Sequence, residues 1–148
     1  MSSDNFPIPD IGLLAIWLLF LNWHWIGYKN NDSIDTKDER ELGATVIMGQ
    51  LGAIITGSSV ILAGLGAFVA LSKSPIEDAA KYHLFYATLW AVWALGISVF
   101  TLGVLPASTP KTNFVQLKGV AFLSSMSLFF CLAASVRFLL AVWVILFP

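Results

Sequence analysis

The sequence has few charged residues. Only 11% of its 148 residues are Asp, Glu, Lys or Arg, whereas 57% are hydrophobic. A soluble globular domain usually carries about a quarter charged residues, because its surface has to face water. The mean hydropathy of +0.80 agrees with this shortage. The composition therefore predicts one membrane-embedded domain over residues 1–148.

An excess of basic charge and paired cysteines are also missing. Eight Lys and Arg residues stand against nine Asp and Glu residues, so the formal net charge is -1. This balance offers no basic surface to nucleic acid, and we expect no nucleic-acid partner. The single cysteine, Cys131, cannot form a disulfide within the chain or a zinc cluster.

Familiar arrangements of catalytic side chains are absent from the sequence. It contains no Ser/His/Asp set, no phosphate-binding loop, no zinc motif and no pair of carboxylates within its apolar runs. Cys131, Met126 and Met48 do not have the spacing of metal ligands. We therefore expect a protein that is not an enzyme, with no catalytic residue and no metal site.

Long apolar runs dominate what is present. Four of them cover residues 11–28, 43–72, 83–105 and 119–147. About 20 helical residues cross a hydrocarbon core of roughly 30 Å, so each run can form one span. Strands of a membrane β-barrel would be shorter and would alternate in polarity. The predicted fold class is all-α integral membrane, an antiparallel four-transmembrane-helix bundle with short loops.

Polar residues before three of the runs predict where the helices begin. Thr36 and Glu39 form a capping-box pattern, in which each side chain bonds the other's backbone N–H. Ser74 and Pro75 repeat the signal, with Pro75 at the first helical position. The pair at 109–110 is a similar start for the fourth helix. These helices are therefore expected to begin before their apolar runs.

The basic residues of the loops predict the orientation. One side of the membrane receives Lys29, Lys37, Arg40, Lys111 and Lys118, and the other receives Lys73 and Lys81. Because cytoplasmic loops carry more Lys and Arg, the N- and C-termini are predicted outside the cytoplasmic (inner) membrane. Residues 1–10 contain no basic residue. The first run is therefore interpreted as a retained span rather than a signal peptide.

Small residues form stripes on the predicted helices. In the second they recur at alternating intervals of four and three: Thr45, Gly49, Gly52, Thr56, Ser59, Ala63, Gly66 and Ala70. The third and fourth helices repeat the spacing in Ala87, Ala91, Ala94, Ser98 and Thr101, and in Ser124, Ser127, Cys131 and Ala134. Small side chains let helix backbones approach closely, so the stripes are predicted to be packing seams within the bundle. Gly52 is expected in tight contact and Ile54 toward lipid. A pore lined by the Ser and Thr hydroxyls is the alternative.

The two histidines are candidate ligands for a haem or another pigment. The predicted topology places His24 near the cytoplasmic surface and His83 near the outer one, so they cannot bind one haem together. A single-ligand site at His24 stays open. The other interpretation places His24 in an interfacial aromatic belt with Trp23 and Trp25. No cofactor is predicted beyond this option, and bound lipid is expected.

Arg137 interrupts the fourth run. A charged side chain at the centre of a bilayer costs about 2.5–3.5 kcal/mol or more, so an intramembrane arginine is a candidate functional residue. The predicted topology puts Asp10 and Glu77 on the same outer side as Arg137. We therefore predict an ion pair from Arg137 to Asp10, to Glu77, to a carboxylate of a partner or to an anionic lipid headgroup. Simple snorkelling to the headgroups is the alternative.

Several local patterns resemble one known family. They are the segment Trp25-Ile26-Gly27-Tyr28, the stretch at 56–65, the set Trp90, Gly103 and Pro106, and the set Arg137, Leu140, Ala141, Trp143 and Pro148. Together they resemble an uncharacterised bacterial family of four-span membrane proteins catalogued as domain of unknown function five-nine-nine. The chain departs from that family at Trp93, where the family has an Arg. The resemblance implies the four-span architecture and no activity.

Three functions are compatible with these features. The first is a non-catalytic accessory subunit of a larger membrane complex, of energy-transducing or membrane-metalloenzyme type, with other integral membrane subunits and lipids as partners. The second is a small transporter or channel for an anion or polar solute that uses Arg137. The third is a pigment- or haem-binding membrane subunit that uses His24.

Overall fold

A computed structural model describes the backbone of residues 11–19, 37–71, 76, 78–108 and 114–146. It describes the side chains of residues 11–19, 44–70, 76, 78–104 and 119–146. Every described residue except Ile76 is helical. We number the helices α1 (11–19), α2 (Lys37–Leu71), α3 (Asp78–Ser108) and α4 (Phe114–Leu146). The predicted all-helical class is confirmed for this part of the chain.

Three of the helices are long and apolar enough to cross a membrane. Their candidate spans are Ala44–Ala70, Asp78–Val104 and Gly119–Leu146, of 27, 27 and 28 residues. At 1.5 Å per residue each reaches about 40 Å, more than the roughly 30 Å of a hydrocarbon core. These helices support a multi-pass membrane protein. Only residues 11–19 of the predicted first span are described as helix.

The helix starts match the capping signals in one case and differ in another. α2 begins at Lys37, directly after Thr36, as the capping-box pattern predicts. α3 begins at Asp78 and Ile76 is not helical, so the predicted start at Pro75 is wrong. The side chain of Ile76 instead packs against an apolar cluster of the bundle. The signal at 109–110 lies outside the described residues, and α4 begins at Phe114.

Side-chain contacts give the relative directions of three helices. His83 meets Arg137, and Trp90, seven residues further along α3, meets Phe130, seven residues back along α4. α3 and α4 therefore run in opposite directions along their contact, which is the most extensive between described helices. A side chain at Gly57 would touch Cys131, and one at Gly64 would touch Phe138. α2 and α4 thus run in the same direction.

Small residues are buried on both α3 and α4. Seven of the nine predicted seam residues on these two helices have no exposed surface: Ala87, Ala91, Ala94, Ser98, Thr101, Ser127 and Ala134. Ala80, Ala133 and Ala141 are equally buried. Side chains of this size let two helix backbones come close, which strengthens van der Waals packing where no hydrophobic drive exists between helices.

The stripe of small residues on α2 does not face α3 or α4. All eight of its residues are exposed: Thr45, Gly49, Gly52, Thr56, Ser59, Ala63, Gly66 and Ala70. A side chain at Gly52 would meet none of the described residues within 4 Å. Ile54, expected toward lipid, is 3% exposed. In the described part of the chain this stripe therefore packs against neither α3 nor α4, and its role as a packing seam stays a prediction.

A second stripe on α2, made of buried residues, explains why its small-residue stripe faces outward. Its buried residues are Ala44, Leu51, Ile54, Ser58 and Leu65, which also follow the spacing of one helix face. Leu51, Ile54 and Leu65 offer more surface to α3 and α4 than Gly and Ala would, so dispersion contacts favour turning this face inward. The small residues then point outward.

Candidate functional site

Arg137 is the largest fully buried side chain in the described part of the chain. It lies on α4 and is 1% exposed. A buried guanidinium has lost its hydration and has five N–H donors to satisfy. Its partners within the protein therefore define the site, and simple snorkelling to the headgroups does not describe its position.

His83 on α3 is one partner of Arg137. The Nη1 atom of Arg137 lies 3.0 Å from Nδ1 of His83. Arginine can only donate, so Nδ1 has to be the acceptor and cannot carry a proton. His83 is therefore neutral in this arrangement, with its ring proton on Nε2.

Two tyrosines of α3 surround the same guanidinium. Its central carbon lies 5.6 Å from the ring centroid of Tyr82 and 5.4 Å from that of Tyr86. Both distances allow cation–π attraction, which is strongest where water is excluded. Residues four apart share one helix face, and the two tyrosine rings are 4.6 Å apart. One stretch of α3 thus supplies a polar acceptor and two aromatic rings to Arg137. We call Arg137, His83, Tyr82 and Tyr86 the arginine cluster.

Aromatic contacts continue from the arginine cluster to α1. The ring centroid of Tyr86 lies 6.4 Å from that of Trp90. The Trp90 ring stacks on that of Phe130, with a centroid distance of 5.3 Å and an interplanar angle of 16°. Phe130 contacts Phe129, which lies 5.4 Å from Trp17 of α1. Trp17 also donates a hydrogen bond of 3.1 Å from Nε1 to a backbone oxygen of α4, that of residue 125. The rings therefore connect α3, α4 and α1 in one packed series.

Sequence reasoning identifies Arg137 and misses His83 as its partner. The predicted topology places His83 at the outer end of the third helix and Arg137 at the outer end of the fourth. The signal is therefore present in the sequence, because two residues at equal depth on adjacent helices can meet. The predicted partners Asp10 and Glu77 lie outside the described residues, as does His24.

Buried hydroxyls form a second polar feature. Several Ser and Thr hydroxyls bond a carbonyl of their own helix, as Thr101 does to Ile97 at 2.6 Å. The hydroxyls of Ser58, Ser98 and Ser124 are buried and have no hydrogen-bond partner among the described residues. Buried polar groups of this kind commonly hold an ordered water.

Comparison with known proteins adds no relative. No protein-family model, curated protein or solved structure matches the chain. The resemblance to domain of unknown function five-nine-nine therefore stays a prediction.

Proposed function

We propose that this chain is a non-catalytic accessory subunit of a larger membrane complex, of energy-transducing or membrane-metalloenzyme type. In this proposal four helices form an antiparallel bundle in the cytoplasmic membrane, with both termini outside. Its partners are other integral membrane subunits and lipids. The observation that carries the proposal is the outward-facing stripe of small residues on α2.

The α2 stripe is suited to a transmembrane helix of another subunit. Only 17% of the α2 span is buried within the chain, against 28% of the α3 span. Gly49, Gly52 and Gly66 leave open space where side chains would otherwise stand. On α3 and α4 the chain buries many small residues, which allow close helix packing. An equivalent open surface on α2 would gain the same packing from a partner helix.

The arginine cluster also favours a structural role. Arg137 is buried against α3, where His83 accepts its hydrogen bond and two tyrosine rings face its charge. A residue that selects a solute has to reach that solute through water, whereas Arg137 is 1% exposed. The cluster instead joins α3 to α4, which suits a structural role.

The proposal is tested by changing the open stripe without changing the chain's own packing. Gly52→Leu adds a side chain that meets none of the described residues, so we expect normal accumulation and an unchanged Tm. We expect the variant to lose the subunits that co-purify with the wild type in mild detergent, because the added side chain blocks backbone approach.

Gly96→Leu is the matched control. Gly96 on α3 is also exposed and its added side chain would also meet no described residue, but it lies outside the stripe. We expect this variant to retain its partners. Retention of all partners by Gly52→Leu, or the absence of any co-purifying subunit from the wild type, would contradict the proposal.

A small transporter for an anion or polar solute is the second candidate. The unpartnered hydroxyls of Ser58, Ser98 and Ser124 favour it, because a hydrated path through the bundle would satisfy them. Solute flux into vesicles that is abolished by replacing Ser98 and Ser124 with Ala, at unchanged Tm, would select this function. Visible absorbance of the purified protein would instead select the pigment-binding alternative at His24.

A further inference from the structure

We propose that His83 is a proton-binding site whose occupancy controls the contact between α3 and α4. The basis is the hydrogen bond of 3.0 Å from Arg137 to Nδ1 of His83. This bond exists only while Nδ1 is unprotonated, since arginine has no acceptor to offer. The inference does not depend on the proposed role in a larger complex.

Protonation changes the contact at a defined atom. A proton from water would add to Nδ1, because Nε2 already carries the ring hydrogen. The N–H of Arg137 would then lose this acceptor. The positively charged side chains of Arg137 and His83 would lie about as far apart as Nη1 and Nδ1 do now. Like charges at this distance repel strongly when they are partly buried. The arginine cluster would have to open, and with it the adjoining end of the contact between α3 and α4.

The position of His83 allows a proton to reach it. It is half-buried rather than fully buried, and it is the sixth residue of α3. At 1.5 Å per residue it lies about 8 Å from the start of the helix. Water near the membrane boundary is therefore close. Histidine is also the side chain whose ordinary change of charge falls between about pH 5 and 8.

Few other titratable groups lie near His83 among the described residues. α3 contributes Tyr82 and Tyr86 to the arginine cluster, and it carries an exposed ion pair of 2.8 Å between residues 81 and 78. α4 contributes Arg137 and also carries Cys131, six residues earlier in the chain. The described side chains of α1 and α2 include no titratable group. The charged residues at 73 and 77, in the segment before α3, lie outside the described side chains.

The pH dependence of thermal stability tests the proposal. We expect protonation of His83 to lower the Tm of the wild type in detergent by about 2–4 °C or more between pH 7.5 and pH 5.5. His83→Asn should remove that part of the fall, because the amide oxygen accepts from Arg137 near the position of Nδ1 and does not titrate. His24→Gln is the control for the other histidine, and it should retain the wild-type fall. An equal fall in His83→Asn and wild type would overturn the proposal.

A spectroscopic measurement on the folded wild type keeps the test independent of how the variants fold. Nitrogen-15 NMR of histidine distinguishes Nδ1 without a proton, Nδ1 with a proton, and the doubly protonated ring. With His24→Gln used for assignment, we expect His83 to be protonated on Nε2 alone at pH 7.5 and on both nitrogens at low pH. A proton on Nδ1 at pH 7.5, or a ring that stays neutral to pH 4.5, would overturn the proposal.

Discussion

Arg137 shows how much one residue can reveal before a structure is known. An arginine within an apolar run is costly in lipid, so the sequence alone identifies it as unusual. The predicted topology also assigns it to the same side of the membrane as His83. The pairing itself could not be derived, because it depends on which faces of α3 and α4 meet. The positions of Tyr82 and Tyr86 around the guanidinium depend on the same facing geometry.

The first prediction at the residue scale separates the geometry of Arg137 from its charge. Arg137→Lys keeps a cation but loses the planar fork that can donate to His83 while facing both tyrosine rings. We expect the free energy of unfolding to fall by about 1–3 kcal/mol, the usual cost of leaving a buried polar group unsatisfied. Arg137→Met should lower it by a similar amount, because that change leaves Nδ1 of His83 without this donor.

Lys81→Met is the control for removing a cation from the same region. The Lys81 side chain is 58% exposed and pairs with an exposed Asp78, so its loss should change stability little. Thermal unfolding of the three variants in detergent is the measurement. If Arg137→Lys unfolds like the wild type, charge alone matters and the described geometry does not.

At the scale of the helices, the start of α2 could be predicted and its orientation could not. The capping box at Thr36 is a local pattern, and local hydrogen bonding decides where a helix begins. The facing direction of α2 is decided by competition between two stripes of equal spacing. Their periods are the same, so the choice depends on how Leu51, Ile54 and Leu65 fit α3 and α4. That information is tertiary.

Ile54 tests which stripe of α2 packs within the chain. Ile54→Ala should lower the Tm, because Ile54 is 3% exposed and its removal leaves a cavity. The free energy of unfolding should fall by an amount near or below the lower end of the about 2–5 kcal/mol that such a change costs in water-soluble cores. Only packing is lost inside a membrane, since lipid is as apolar as the side chain.

Val60→Ala is the matched control, because Val60 lies on the same helix and is 65% exposed. It should leave the Tm unchanged. A greater loss from Val60→Ala than from Ile54→Ala would reverse the orientation of α2.

At the scale of the whole molecule, composition and length predict the class of protein. Few charges and long apolar runs suffice for that step, because hydrocarbon thickness sets the span length. Three helices in the described chain are long and apolar enough for such spans. The number of crossings and the sides of the termini depend on the first run and on the loops, and chemical labelling measures both directly.

The predicted topology determines which segments a membrane-impermeant thiol reagent can reach in intact cells. Single cysteines at Ser3 and Ser74 should be labelled from outside, because the count of Lys and Arg places those segments on the side with fewer positive charges. A cysteine at Ser33 should be labelled only after the cells are opened. The unchanged chain is the control, since its one cysteine, Cys131, lies within the α4 span and should stay unlabelled.

Each other labelling pattern contradicts a different part of this topology. Labelling of Ser33→Cys alone in intact cells would invert the chain in the membrane, because all three positions would have changed sides. Equal labelling of Ser3→Cys and Ser33→Cys would place both ends of the first apolar run on one side, so that run would not cross. Equal labelling of Ser33→Cys and Ser74→Cys would contradict α2 as a span, because α2 is the helix between these two positions. The three cysteines therefore test the orientation and the first two crossings separately, since a helix that spans the bilayer must place its two flanking segments on opposite sides.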